Sequence, residues 1–407
     1  MLKFGFRHKN FYPLMLLLFI FLRIVADKIL KLHPYGDNID FIIPFLIFFS
    51  QSLIGFIIYL YYSKKSSSSK TSDLTPIRIG TIELILNKSY ISNDSKKKII
   101  LLVISASFFD FIGCIIRNND VINFGKKEEN NSRLEVRVRS FQIIFSSLLC
   151  YYTIRLNIYN HQKVSLITLS CFLVIIIILE LVISVDMINK IIALLICSMS
   201  CLSRSFLDVT EKYLFEFNYI NLFLMISFEG LIGLVLYILF FISNNEHQKQ
   251  AKNLLINMSD FNWDSISFIL LIILYIIISG FRNAYRVTTN KYYSPMSRAL
   301  FESTLDPFLF LYYFLMFDEK DNVLNWAYFS VVIFCLIVIA FFSLVYNDFI
   351  ILYCCGLEHN TYKGIINRLY TQQINKVTNI IVDNENSSVF YEESEDNDTN
   401  IDINMDK

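Results

Sequence analysis

The chain has 407 residues, 55% hydrophobic and 18% charged, with 36 basic side chains balanced by 36 acidic ones. A soluble chain of ordinary composition carries about a quarter charged residues; here Ile, Leu, Phe and Tyr fill the difference. That excludes a disordered chain, a basic nucleic-acid binder and a secreted disulfide scaffold, and leaves a polytopic membrane protein.

A membrane-crossing helix needs roughly 20 apolar residues, because the hydrocarbon is about 30 Å thick and a helix rises about 1.5 Å per residue. Ten such blocks follow one another: 11–31, 40–62, 98–117, 136–155, 163–184, 187–208, 220–243, 265–285, 297–317 and 325–347. Lys3, Arg7 and Lys9 precede the first as in a signal peptide. That block runs on into Asp27, Lys28 and Lys31, without an A-x-A-like cleavage site, so it reads as a span. Residues 63–97, with the serine run 66–69, are expected to form a flexible polar loop. Six cysteines (Cys114, Cys150, Cys171, Cys197, Cys201 and Cys335) fall within blocks. Cys354 and Cys355 follow the last one, where palmitoylation is the alternative to free thiols, and no C-x-x-C pair occurs. Basic residues are more numerous in the even-numbered loops and tails, which puts both termini in the cytosol. The sequons at Asn130 and Asn257 then face the lumen. The tail from 348 turns acidic after about 380, with Glu392, Glu393, Glu395, Asp396 and Asp398, and is expected to be disordered.

An internal repeat emerges from the polar punctuation of these blocks. LIGFIIY beginning at Leu53 is matched by LIGLVLY beginning at Leu231, and Arg23/Asp27 by Arg204/Asp208 at nearly the same offset. Tyr151-Tyr152 is paralleled by Tyr312-Tyr313. Two halves of five spans follow, 1–185 and 186–347. Five is odd, so the second half lies upside down relative to the first, an architecture common among secondary transporters. The fold class expected is an all-α integral membrane bundle of ten helices in two inverted five-helix repeats.

Charged side chains inside apolar blocks cost roughly 2.5–3.5 kcal/mol each on insertion scales, so they should face the bundle interior and find partners. Arg23 with Asp27, and Arg204 with Asp208, stand four residues apart and can pair on one helix face, as salt bridges or as gates. Asp110 with Gly113, and Glu229-Gly230 with Gly233, set a carboxylate beside a place where a neighbouring helix or a substrate can come close. Gln51 is the uncharged counterpart of Glu229. Ser294-Pro295 reads as a helix cap with proline in the first turn, followed by Arg298, Glu302 and Asp306 at four-residue steps; Pro307 should bend that helix. Arg282 and Arg286 add positive charge nearby.

Four strings now carry a resemblance: Asp110-x-x-Gly113, Ser140-Phe141-Gln142, Glu229-Gly230-x-x-Gly233, and Val287-Thr288 leading through Ser294 and Arg298 to Glu302-Ser303. In this order the chain resembles the drug/metabolite transporter superfamily, specifically solute carrier family 35, over roughly residues 10–350. It departs at Phe145-Ser146, where relatives often carry Arg-Gly, and at Gln51, where several have Glu. The resemblance implies ten helices in inverted halves, cytosolic termini and alternating access. It also implies a Golgi, endosomal, vacuolar or lysosomal membrane, and a nucleotide sugar or other small organic solute as cargo.

The function expected is therefore solute transport. The alternative is a non-transporting membrane adaptor that acts through loop 63–97 and the acidic tail. An enzyme is not expected, since the sequence shows no nucleophile elbow, phosphate-cradling Gly-rich loop or metal-ligand cluster. The partners expected are a small-molecule solute and the lipid bilayer, with a homodimer left open and nucleic acid excluded; no cofactor or metal is expected.

Overall fold

The structure, a computed structural model, describes residues 11–36, 39, 41–68, 93–118, 131–155, 158–183, 187–218, 220–258, 263–317, 323–352, 361 and 364. The described residues form thirteen helices: α1 (Phe11–Leu32), α2 (Ile43–Ser68), α3 (Asn93–Asn118), α4 (Asn131–Val138), α5 (Phe141–Thr153), α6 (Asn160–Ile183), α7 (Met187–Phe217), α8 (Leu222–Ser243), α9 (Asn245–Met258), α10 (Trp263–Tyr292), α11 (Pro295–Ser303), α12 (Asp306–Phe317) and α13 (Val323–Tyr346). Seven of them, α2, α3, α6, α7, α8, α10 and α13, are long and apolar enough to cross a membrane. The polar segment 63–97 is helical at both ends, as far as Ser68 and again from Asn93. Its middle (69–92), Asn130, Cys354, Cys355 and the acidic tail lie outside the described residues.

Each of the ten apolar blocks is helical, yet three do not form a long uninterrupted apolar helix. α1 carries Arg23, Asp27, Lys28 and Lys31 in its second half. The fourth block is split into α4 and α5 at Arg139-Ser140, where the amides of Gln142 and Ile143 turn back three residues, to Arg139 and Ser140. The ninth is split into α11 and α12 at Thr304-Leu305, where Thr304 and Leu305 donate to Phe301 and Glu302 in the same tight fashion. Pro307 accounts for that second break, as it lacks an N–H and its ring would collide with the previous turn. The first break has neither proline nor glycine.

The side-chain pattern is inside-out relative to a soluble fold. On α8, Leu231, Val235, Ile238, Leu239 and Ile242 point outward, while Ser227, Glu229, Gly230 and Gly233 are buried. On α1, Leu14, Leu18, Phe21, Val25 and Ile29 form a similar outer stripe. Apolar residues outside and polar ones inside suit a chain whose solvent is lipid, and the fold fits an integral, multi-pass membrane protein in contact with the bilayer.

α2 packs on α8, α1 on α10, α3 on α7, and α6 on α13; α2 also touches α10, α3 touches α8, and α5 packs on α7 and α11. The α2–α8 seam is closely packed. A Cβ on Gly230 would stand 2.4 Å from the Ser52 amide nitrogen, and one on Gly233 would stand 2.4 Å from the Phe48 ring. Gly55 faces Phe223 and Ser227 in return, so the two helices run antiparallel. Gly113 differs: a Cβ there would reach Ser203 at an ordinary 3.6 Å. One cluster of buried apolar residues joins α1, α2, α8 and α10, and another joins α5, α6, α11, α12 and α13. The polar centre draws helices from both.

Candidate functional site

α7 runs nine residues past its expected end and α10 seven, and these extra turns supply the chemistry. They place Glu211 one turn beyond Asp208 on α7, and Arg286 and Asn290 one and two turns beyond Arg282 on α10. The end of α10 is itself secured from α7: Lys212 Nζ donates to the carbonyls of Lys291 (2.8 Å) and Tyr293 (2.7 Å). An ammonium on the last carbonyls of a helix satisfies acceptors that would otherwise lack donors.

These extensions complete a closed circuit of side chains. Gln51 Nε2 donates to Glu229 Oε2 at 3.2 Å, and Arg286 Nη2 lies 3.2 Å from the same oxygen. Arg286 Nη1 reaches Asp208 Oδ1 at 3.5 Å, and Arg298 pairs with the other Asp208 oxygen. Arg298 Nη1 donates to Glu302 Oε1 at 2.7 Å, Arg282 Nη2 stands 3.8 Å from that oxygen, and Arg282 Nη1 donates to Asn283 Oδ1 at 3.2 Å. Asn283 Nδ2 returns to Gln51 Oε1 at 3.4 Å. Three further groups attach to this circuit. Gln51 Nε2 also donates to Asp110 Oδ2 (3.1 Å), Gln142 Nε2 donates to Asp208 Oδ2 (2.9 Å), and Glu211 Oε1 stands 2.7 Å from Arg286 Nη2. Asp208, Glu211 and Glu229 are wholly buried.

The cap that aims Arg298 is the one the sequence suggests. Ser294 is extended (φ −119°, ψ 161°), its Oγ accepts from the Ser297 amide at 3.0 Å, and Pro295 opens the helix. Because α11 then breaks, Asp306 does not continue its stripe; it meets Arg139 at 3.1 Å instead. The two breaks therefore touch, one contributing Arg139 and the other Asp306.

A second cluster lies at the far end of α7. Arg137 of α4 pairs with Glu180 of α6 and with the Tyr328 hydroxyl of α13, which also donates to Glu180. Lys190 of α7 reaches Glu180 at 3.0 Å. Lys190 and Asp208 are about 27 Å apart along the helix, at about 1.5 Å per residue.

Of the expected site residues, Gln51, Asp110, Gln142, Asp208, Glu229, Arg298 and Glu302 converge on the one network. Arg204 acts electrostatically on Asp208 and Glu302. Gly230 lies in the seam beside Glu229, and Gly113 packs against Ser203 and Arg204. Arg23 and Asp27 stay apart from the network: Arg23 Nε donates to the Tyr275 hydroxyl at 3.3 Å, and Asp27 pairs with Lys31 at 3.5 Å. The sequence reading named Arg282 and Arg286 only as nearby charge and missed Glu211, Asn283, Asn290, Glu180 and Lys190. The four-residue rhythm of Arg282, Arg286 and Asn290 and the Asp208/Glu211 spacing are the signals for Arg286, Asn290 and Glu211, and Glu180 and Lys190 are charges inside apolar blocks, the same signal that marks Glu229.

Among the described residues the fold is helical around a buried ionic centre, and its seven long apolar helices fit the class of multi-pass membrane proteins. No protein-family model matches the sequence, and no curated protein matches it either.

Proposed function

We propose that the chain is a transporter of a small organic solute, working by alternating access between two inverted five-helix halves. The observation that carries this reading is the helix pairing. Exchanging the halves sends α1 to α7, α2 to α8, α3 to α10, α4–α5 to α11–α12, and α6 to α13. The α2–α8 and α6–α13 contacts then map onto themselves, α5–α11 onto α4–α12, α1–α10 onto α3–α7, and α2–α10 onto α3–α8. Gln51 and Glu229 exchange with each other and touch. The interrupted segments also occupy matching positions in the two halves, the usual sign of a substrate path.

In this reading the network around Arg286 and the cluster around Glu180 are the two gates, and opening one while holding the other admits the solute from one side. The likeness to solute carrier family 35 supports cytosolic termini, an endomembrane location and metabolite-sized cargo. The test is uptake by vesicles reconstituted with the purified chain, offered labelled nucleotide sugars, amino acids and organic amines. Saturable uptake of one class is expected, with loss in both Glu229→Ala and Arg298→Ala while the protein stays in the membrane. Uptake unchanged in both variants would remove these residues from the site, and no uptake of any class would reject transport.

A further inference from the structure

Glu211 and Glu229 stand on different helices yet lie against the same guanidinium nitrogen, Arg286 Nη2, at 2.7 and 3.2 Å. Sharing that one nitrogen sets the two carboxyl groups side by side. Two ionised carboxylates held side by side repel each other, and one proton held by the pair removes that repulsion. A second observation points the same way. Glu229 Oε1 and Asn290 Oδ1, both on wholly buried side chains, have no hydrogen-bond donor. Asn290 Nδ2 already donates to Glu211 Oε2 at 2.9 Å, which holds that bare amide oxygen beside the pair.

Charge balance agrees. Ion pairs join four carboxylates (Asp208, Glu211, Glu229 and Glu302) to three guanidiniums, Arg282, Arg286 and Arg298. The remaining groups facing the pair and its neighbours cancel: Asp110, which acts on Glu229, against Arg204, which acts on Asp208; Arg139, which acts on Glu302, against its partner Asp306; and Lys212 against its partner Glu216. One positive charge is missing. Among the described residues no group of His, Cys, Asp or Glu is arranged to hold a metal ion, and a proton suits two carboxyls that share one guanidinium nitrogen.

We propose that the Glu211–Glu229 pair is a proton-binding site, and that a proton taken up there from one aqueous side and released to the other drives solute movement. The coupling rests on the transport reading above; the proton site does not. With the proton bound, one guanidinium holds the acids of α7 and α8 together. When it leaves, like charges face each other across α7 and α8 and loosen that gate.

The test has two arms on the full chain. In lipid nanodiscs, an infrared difference spectrum between acid and alkaline pH should show a protonated-carboxyl band that is lost in both Glu211→Gln and Glu229→Gln. Because glutamine keeps the size and shape of the side chain, two independent variants guard against a folding artefact. A band that persists in both, or that is never seen, overturns the site. In vesicles given the same labelled solutes, an imposed pH gradient should drive about tenfold accumulation of an uncharged solute per pH unit, for one proton per solute. Glu229→Gln should bring that ratio to one. The band without uptake of any solute would leave the proton site and reject transport. Uptake that ignores pH or follows sodium, with no band, would leave transport and reject the proton.

Discussion

The two ionic clusters are built on opposite principles. Around Glu180, two cations and a phenol gather on a single carboxylate; around Arg286, three carboxylates gather on a single guanidinium. The first is anchored at a helix end, where Lys190 is 20% exposed, and the second is sealed in the bundle. A carboxylate with spare donors is satisfied locally. A guanidinium outnumbered by acids holds elements together only while all of them stay in place, and this makes the Arg286 centre the more consequential of the two.

That contrast can be broken by substitution. Arg286→Ala leaves Asp208, Glu211 and Glu229 without their common partner and should cost about 3–5 kcal/mol, the cost of an uncompensated buried charge. It would be measured as a loss of unfolding free energy in detergent. Glu180→Gln should cost less, about 3 kcal/mol at most, because Lys190 can turn to water. An equal or larger loss there would reverse the ranking of the clusters. Gly230→Ala should cost about 1–3 kcal/mol by forcing α8 off α2, whereas Gly113→Ala, with room for the methyl, should change stability by no more than about 1 kcal/mol; thermal melts of both variants decide the point. A similarly small effect is expected of Ser294→Ala. It removes the cap of α11 and should cost about 1 kcal/mol, with the loss readable in the same melts.

How far the sequence reached depended on the kind of signal. Glu229, Asp208 and Arg298 were legible because a charge in an apolar block must have a reason to be there. Their partners were not, because the four-residue rule sees only one helix: it paired Arg23 with Asp27, while the fold gives Arg23 to Tyr275, on another helix. Glu211 and Arg286 fell beyond the windows 187–208 and 265–285 because apolarity ends there, although the helices do not. The polar turns are buried against one another instead of against lipid. Pro307 announced the break before α12, but nothing at Arg139-Ser140 announced its counterpart.

Where Gly230 meets Ser52 and the Phe48 carbonyl, two main chains touch with no side chain between them, and Gly233 beside it takes the Phe48 ring. Any change of shape that spares this contact can only swing the rest of the bundle around it. The separation of α2 and α8 then becomes the fixed length against which every other displacement can be gauged.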